Sequence, residues 1–254
     1  MPDTLQIYVI NLDRSHERMA FVERRFAELK MNFTRIRATD GNALSVAELD
    51  AFAAERPRDG KRRWRPGQIG CFLSHSEAWQ RIASGVHPFG LVLEDDLHLS
   101  DWLPRVVAEV NWIPSDADIV RLESTGQWLL LEPAASKRIG RMVRRVRSPA
   151  WGAGAYLIRQ DAAAKLLEAP AILHAPVDDF LFNLKWSTTA QALNTYQLNP
   201  ALAMQDKFND NMHVIAGFGS DIETGTLNER LRGLSSFRRS ITSSLRGKTK
   251  IAFN

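Results

Sequence analysis

Leu91-Val92-Leu93-Glu94-Asp95-Asp96-Leu97 is a run of strand-forming residues that ends in three adjacent carboxylates and then returns to an apolar side chain. Adjacent like charges repel, and three of them beside a hydrophobic strand are costly without a compensating cation. A hard divalent ion held through oxygen is the natural compensator, and such a site suits Mg2+ or Mn2+ carrying substrate phosphates. The end of a strand is also where open α/β sheets place their ligands. A solvated acidic turn explains an isolated acidic triplet equally well, so the flanking sequence decides.

Upstream, Leu5 to Asn11 reads as a buried first strand, and Met19, Val22, Phe26 and Leu29 recur at helical spacing after the cap residues Asp13 and Ser15. Phe33 to Ile36 reads as a second strand closed by the turn pair Asp40-Gly41. Ser45-Val46-Ala47-Glu48 is a capping box that opens a short helix through Ala54. A longer helix is expected from Gln68 to Ala83, with Ile69, Phe72, Leu73, Ser76 and Trp79 along one side. Downstream, strands are expected at Asp118–Glu123, Ala153–Ile158 and Ala192–Leu198, with short strands between Trp128 and Val146. Helices are expected after Ser100 or Asp101, over Asp161–Glu168 and from Pro176. Strand–helix alternation in the first half implies an α/β domain over residues 1–225, with a mostly parallel central sheet flanked by helices.

From Thr226 the composition turns basic and Ser-rich, and residues 226–254 are assigned to a C-terminal tail. Within it Leu227, Leu231, Leu234, Phe237 and Ile241 recur at helical intervals among Arg230, Arg232, Arg238 and Arg239. That pattern fits a basic amphipathic helix lying on an anionic membrane surface. Docking onto the protein's own core or onto a second copy explains the same spacing.

The chain has 254 residues, 44% hydrophobic and 24% charged, which is ordinary for a globular protein with a sizeable core. Cys71 is the single cysteine, so no intrachain disulfide forms, as in a reducing compartment. The first residues lack a signal-peptide layout and no apolar run reaches membrane-spanning length, so a cytoplasmic location is expected. Net charge is +4, with basic clusters at Arg56–Arg65, Lys137–Arg147 and Arg230–Lys250. Such clusters suit phosphate-bearing substrates or an anionic surface, although most basic runs are solvated faces.

With these elements laid out, the sequence resembles glycosyltransferase family 25, the group of lipooligosaccharide galactosyltransferases and their collagen-modifying relatives. The resemblance rests on Tyr8 to Ser15 with Arg18, Ala38-Thr39-Asp40-Gly41, Gly67 to His75 with Trp79, and Leu93-Glu94-Asp95-Asp96. Asp118 to Glu123, Trp151 to Tyr156, Pro176-Val177-Asp178, Tyr196 to Leu202 with Gln205, and Ser220-Asp221-Ile222 follow in family order. It implies a GT-A type fold, a UDP-hexose donor (galactose or glucose), inversion at the anomeric carbon, and a glycan or glycolipid acceptor such as a lipopolysaccharide core. It also implies that Glu94-Asp95-Asp96 is the counterpart of the metal-binding DxD motif, with Glu in first place.

An inverting transfer needs charge neutralisation at the leaving diphosphate and a base for the acceptor proton. For the first, Mn2+ (or Mg2+) is expected on Asp96, with Glu94 or Asp95 assisting; Asp95 as ligand with Asp96 holding water is the alternative. His213, Asp206 and Asp221 are each able to complete the shell. For the base, Asp178 comes first and Asp179 second, with Glu123 third; as first-turn residues, both aspartates also simply suit a helix dipole. Asn11, Arg14 and Arg18 follow the first strand, where the nucleotide is expected, and Arg14 is the better phosphate contact. Asp40 and Gly41 are expected at the uridine or ribose, although a plain turn explains the pair nearly as well. His75, Glu94, Asp95 and Gly154 complete the expected donor contacts. A hydrogen-bonded core role for His75 and strand sterics for Gly154 are the plainer accounts. Cys71 reads as a small buried apolar residue.

Three other functions fit parts of the sequence. A nucleic-acid-binding protein would interleave aromatic with basic residues, whereas Tyr is scarce here and the Trp residues are scattered, so no nucleic-acid partner is expected. A metal-dependent phosphohydrolase would collect further carboxylates or His for a second metal, and none stands at a persuasive spacing. A catalytically silent scaffold has no need of the acidic triplet. The expected place of work is cytoplasmic, peripheral on the inner membrane.

Overall fold

A computed structural model describes residues 5–52, 64–133, 137–170, 175–208 and 247–254. The core is one mixed sheet. Its strands in chain order are β1 (Leu5–Asn11), β2 (Thr34–Arg37), β3 (Phe89–Glu94), β5 (Ile119–Arg121), β7 (Lys137–Arg138), β8 (Arg141–Arg145), β9 (Ala155–Arg159) and β10 (Thr195–Asn199). Their spatial order is β2-β1-β3-β9-β5-β10-β8-β7. Six of the eight run in one direction, and β8 and β9 run against them.

Alternating side chains feed two apolar layers, as the pleat requires. Ile7, Val9, Leu91, Leu93 and Leu157 face a layer with α1 (His16–Leu29) and α4 (Leu103–Val107). Tyr8, Ile10, Val92, Tyr156 and Ile158 face the other, which holds α3 (Pro66–Ala83), α5 (Gln160–Leu167) and α6 (Val177–Phe182). The expected stripe of α1 is buried at Met19, Val22 and Phe26, and Lys30 ends the helix in the left-handed conformation. The expected capping box also forms: the Glu48 carboxylate accepts from the Ser45 backbone N–H at 2.8 Å, and the Ser45 hydroxyl accepts from the Glu48 N–H at 3.3 Å. It opens α2 (Val46–Phe52).

Two small antiparallel pairs complete the domain. β4 (Leu97–Leu99) pairs with β11 (Ala203–Gln205), which brings Gln205 beside Leu97. β6 (Trp128–Leu130) pairs with β12 (Lys248–Lys250). The second pair corrects the assignment of the whole of 226–254 to a tail. Ile251 is buried, its carbonyl accepts from the Ser124 hydroxyl at 2.7 Å, and the Ala252 carbonyl accepts from the Ala201 N–H at 2.7 Å. The last eight residues are therefore part of the fold. The basic amphipathic segment from Leu227 to Ile241, and with it the 225/226 boundary, lies outside the described residues, as do His213 and Asp221. Among the described residues, no helix is long and apolar enough to cross a membrane.

Candidate active site

β1, β2 and β3 are parallel, so their carboxyl ends share one edge, and the acidic turn lies there. A cleft at this edge is lined by Arg14, Arg18, Asp40, Gly41 and the three carboxylates. A second cavity adjoins it and is lined by Gln68, Gly152, Pro176 and Asp178. Cys71, Glu94, Gln205 and Lys207 line both and form the wall between them.

The three carboxylates of the triplet diverge. Asp95 turns toward β1 and α1, where it accepts from the Asn11 amide at 2.7 Å and from Arg18 at 3.1 Å. Burial raises its pKa, and Arg18 and Asn11 oppose that shift. Glu94 turns toward α3 and accepts from His75 at 3.3 Å on one oxygen and from the Gln205 amide at 2.6 Å on the other. Burial alone would raise the Glu94 pKa, but the hydrogen bond from His75 and the charge of Lys207 outweigh it and hold the group below its usual value.

Asp96 is buried and faces the first cleft, and its carboxylate receives a 3.4 Å contact from Gln205. Burial first, then the charges of Glu94 and Asp95, push its pKa up to about 7. On the scale of about 1.4 kcal/mol per pKa unit, ionising Asp96 beside its two neighbours without a cation costs about 4 kcal/mol. An under-solvated carboxylate of this kind, with Glu94 at the same wall, fits a hard divalent cation.

A second acid-containing group does not fit one. Cys71, His75 and Glu94 bring ligand atoms within 4.8 Å of one another. However, burial, then Glu94 and Asp178, push the Cys71 thiol well above its usual pKa, which keeps it a neutral thiol when no ion is bound. Both His75 nitrogens are also engaged. Tyr156 is fully buried; its hydroxyl accepts from Trp79 Nε1 at 2.8 Å and lies 2.8 Å from His75 Nδ1. The hydroxyl proton then goes to Nδ1, which leaves the ring proton on Nε2, facing Glu94. Trp79, Tyr156 and His75 thus form a buried relay that orients Glu94.

The other expected site residues divide into those at the cavities and those behind them. Arg14, Asp40 and Gly41 line the first cleft; Arg14 pairs with Asp40, whose other oxygen caps the following turn at the Asn42 N–H, 3.0 Å away. Gly41 is needed for close approach, because a Cβ there would lie 1.7 Å from the Pro66 carbonyl oxygen. Asn11 and His75 are almost wholly buried and line neither cavity, so each acts through the carboxylate it touches. Gly154 also lies behind the wall. Its carbonyl accepts from the Glu94 N–H at 2.8 Å, and its own N–H donates to Glu123 at 2.8 Å.

Asp178 lines the second cavity and accepts from the Gly152 N–H at 3.3 Å. Asp179 lines neither cavity, and its carboxylate accepts from Asn183 of the same segment at 2.7 Å. Glu123 is buried with one oxygen unpartnered, and burial pushes its pKa up to about 8, against the pull of Arg121. Asp206 is engaged by His98 at 2.7 Å. Cys71, Gln205 and Lys207 are the wall residues absent from the expected set, and Cys71, read as a buried apolar residue, is half-buried and lines both cavities. Gln205 lies in a quoted motif, whereas nothing near Lys207 distinguishes it from any exposed lysine.

The model of glycosyltransferase family 25 (LPS biosynthesis protein) matches residues 4–181. The chain belongs to glycosyltransferase family 25. Among the relatives of this family 25 chain, the lacto-N-neotetraose biosynthesis glycosyltransferase LgtB of Neisseria meningitidis serogroup B is 31% identical over 175 residues, covering 63% of this chain and 62% of its own length. Procollagen galactosyltransferase 1 of Danio rerio is 30% identical over 187 residues, 69% of this chain and 30% of that protein. The lipooligosaccharide biosynthesis protein lic2B of Haemophilus influenzae is 24% identical over 212 residues, 78% and 75% respectively. The chain thus spans about six tenths of LgtB and three tenths of the procollagen enzyme.

Proposed function

We propose that this family 25 chain is a metal-dependent, inverting hexosyltransferase of GT-A type. It moves galactose or glucose from a UDP-sugar to a hydroxyl of a lipopolysaccharide or lipooligosaccharide core, or of a related glycan. The observation that carries this reading is the meeting of two cavities at one wall of Glu94, Gln205, Lys207 and Cys71. The first takes the donor, with Arg14 suited to forked phosphate contacts and Asp40-Gly41 at the nucleoside. The second takes the acceptor, with Asp178 as its base. The names of LgtB and lic2B support a glycan acceptor, and that of the procollagen galactosyltransferase supports galactose as the sugar.

Asp96 with Glu94 would hold Mn2+ or Mg2+, which when bound neutralises charge on the leaving diphosphate. Asp178 accepts the proton of the acceptor hydroxyl as its oxygen bonds to the anomeric carbon. The bond from that carbon to the diphosphate oxygen breaks on the opposite face, so configuration inverts. UDP leaves with both bonding electrons, and Lys207 at the shared wall offsets its charge. The basic sequence between Arg230 and Arg246 supports work at the cytoplasmic face of an anionic membrane.

Calorimetry with a nucleotide-sugar panel, in Mn2+, Mg2+ or EDTA, tests the donor and the metal together. Metal-dependent binding of one UDP-hexose that is lost in Asp96→Ala is expected. Absence of binding to every UDP-sugar under all three conditions would refute the donor assignment.

A further inference from the structure

We propose that Arg121 is a positioning residue for the acceptor half of the site, setting Asp178 by clamping the Trp151–Gly152 backbone whose N–H holds its carboxylate. This rests on Asp178 as the base. Arg121 lies on β5 and is 2% exposed. Its guanidinium donates to the Trp151 carbonyl at 2.7 Å, to the Gly152 carbonyl at 3.0 Å and to the Gln197 side chain at 3.1 Å. Its fourth neighbour is the ring of Phe182, 4.3 Å from the guanidinium carbon, on the helix that carries Asp178.

Burying a guanidinium is expensive, and here two of its three hydrogen bonds go to backbone carbonyls and the third to an amide, none to a carboxylate. Two successive carbonyls can be gripped by one fork because Gly152 takes a positive φ of 82°. With the carbonyls of residues 151 and 152 fixed, the Gly152 N–H is aimed at Asp178 Oδ2. Glu123, two residues beyond Arg121 and past the end of β5, secures the far end through the Gly154 N–H. The strand thus holds the 151–154 segment from beneath at both ends. The guanidinium also orients the base through α6, by way of Phe182. Lysine keeps the charge at position 121 but lacks the planar fork.

Trp151-Gly152 is the one Trp-Gly pair in the sequence. Protein labelled with 13C-carbonyl Trp and 15N-Gly therefore gives a single selected NMR peak, that of the Gly152 amide, with no ligand needed. In the wild type this peak is expected to move in Asp178→Asn, which removes the carboxylate that accepts from it. In Arg121→Lys that response to Asp178→Asn should fall by more than half, and Gly152 amide exchange should quicken about tenfold or more. An unchanged response and unchanged exchange in Arg121→Lys would overturn the proposal.

UDP release from UDP-galactose in Mn2+, with water as acceptor, supplies the kinetic arm. Arg121→Lys should slow it about tenfold to a hundredfold, but less than about twofold in the Asp178→Asn background. Equal losses in both backgrounds would also overturn it. Should Arg121→Lys fail to fold, Phe182→Leu loosens the same clamp and enters the same cycle. Wild-type turnover in Asp178→Asn, with the Gly152 peak still dependent on Arg121, would refute the base assignment and leave the clamp standing.

Discussion

Replacing Gly152 by alanine tests the packing that shapes the second cavity, and Gly126 supplies an internal control. Both glycines have positive φ, 82° and 70°. An alanine at either therefore carries left-handed strain of about 1–2 kcal/mol. Their surroundings differ. A Cβ on Gly152 would lie 2.7 and 2.9 Å from the Glu123 oxygens and 2.9 Å from Thr125 Cγ2, whereas one on Gly126 meets nothing within 4 Å. Glu123 cannot swing away, because it is 1% exposed and one oxygen is tied to the Gly154 N–H. Overpacking of that kind adds about 1–3 kcal/mol. Gly152→Ala should therefore cost about 2–5 kcal/mol and Gly126→Ala about 1–2 kcal/mol. Urea unfolding followed by circular dichroism, at unchanged m-value, measures both. In a Glu123→Ala background the excess at position 152 should fall, leaving only the Thr125 contact. Equal losses at the two glycines, or an excess unchanged by removal of Glu123, would refute this account of the wall behind the second cavity.

Tyr156→Phe leaves Trp79 Nε1 and His75 Nδ1 buried without their partner, which should cost about 2–4 kcal/mol in urea unfolding; a loss below about 1 kcal/mol would dissolve the relay. Asp96, pushed up to about 7, binds a proton below that pH and so competes with a cation. Calorimetric Mn2+ affinity should fall about tenfold per pH unit below 7, and a flat profile would remove Asp96 from the ligand set. Glu123, pushed up to about 8, gives the opposite slope in stability. Between its ordinary carboxyl value near 4.5 and 8, the folded state binds more protons than the unfolded one. Stability contributed by this group is therefore complete at low pH and is lost as pH rises toward 8. Glu123→Gln should flatten that part of the urea-derived profile, and an unchanged slope would reassign it. Finally, Asp178→Asn should lower turnover by a factor of about 10² to 10⁴ while Asp179→Asn stays near the wild type, and the reverse ranking would move the base.

The legible parts of the fold were those with periodicity and caps. The stripe of α1, the capping box at Ser45 and the apolar run into Glu94 each carry a local physical signal, and each forms as expected. The direction of β9 carries none. Ala155 to Ile158 is apolar on both faces, so its pattern is the same whether the strand runs with or against its neighbours. β12 was hidden for a different reason. Lys248-Thr249-Lys250 is short and charged, and what makes it a strand is a partner over a hundred residues earlier in sequence. At the site, the charge of the triplet was legible but its geometry was not. Successive residues leaving a strand point different ways, so Asp95 is spent on Asn11 and Arg18 while Asp96 faces the cleft. His75 has the buried, hydrogen-bonded role that a lone histidine on a half-buried helix usually has. Its consequence for Glu94 depends on Tyr156, which lies 81 positions away.

The reversal of β9 explains why a second cavity exists beside the first. A parallel strand between β3 and β5 would bring its carboxyl end, near Arg159, to the edge where Glu94 and Glu123 emerge. Running the other way, β9 brings its amino end there instead, and the incoming segment Gly152-Ala153-Gly154 crosses the mouth of the sheet. That placement lets one glycine join the two acidic strand ends, since Gly154 accepts from the Glu94 N–H and donates to Glu123. It also puts the Gly152 N–H within reach of Asp178 on a separate helix. A strand end contributes one carboxylate to an edge, but an incoming loop contributes unpaired backbone donors to which acids from other elements can be fastened. Glu94 and Glu123 at the sheet edge and Asp178 of the second cavity are therefore held through a single short segment. A change in that segment should move both halves of the site together.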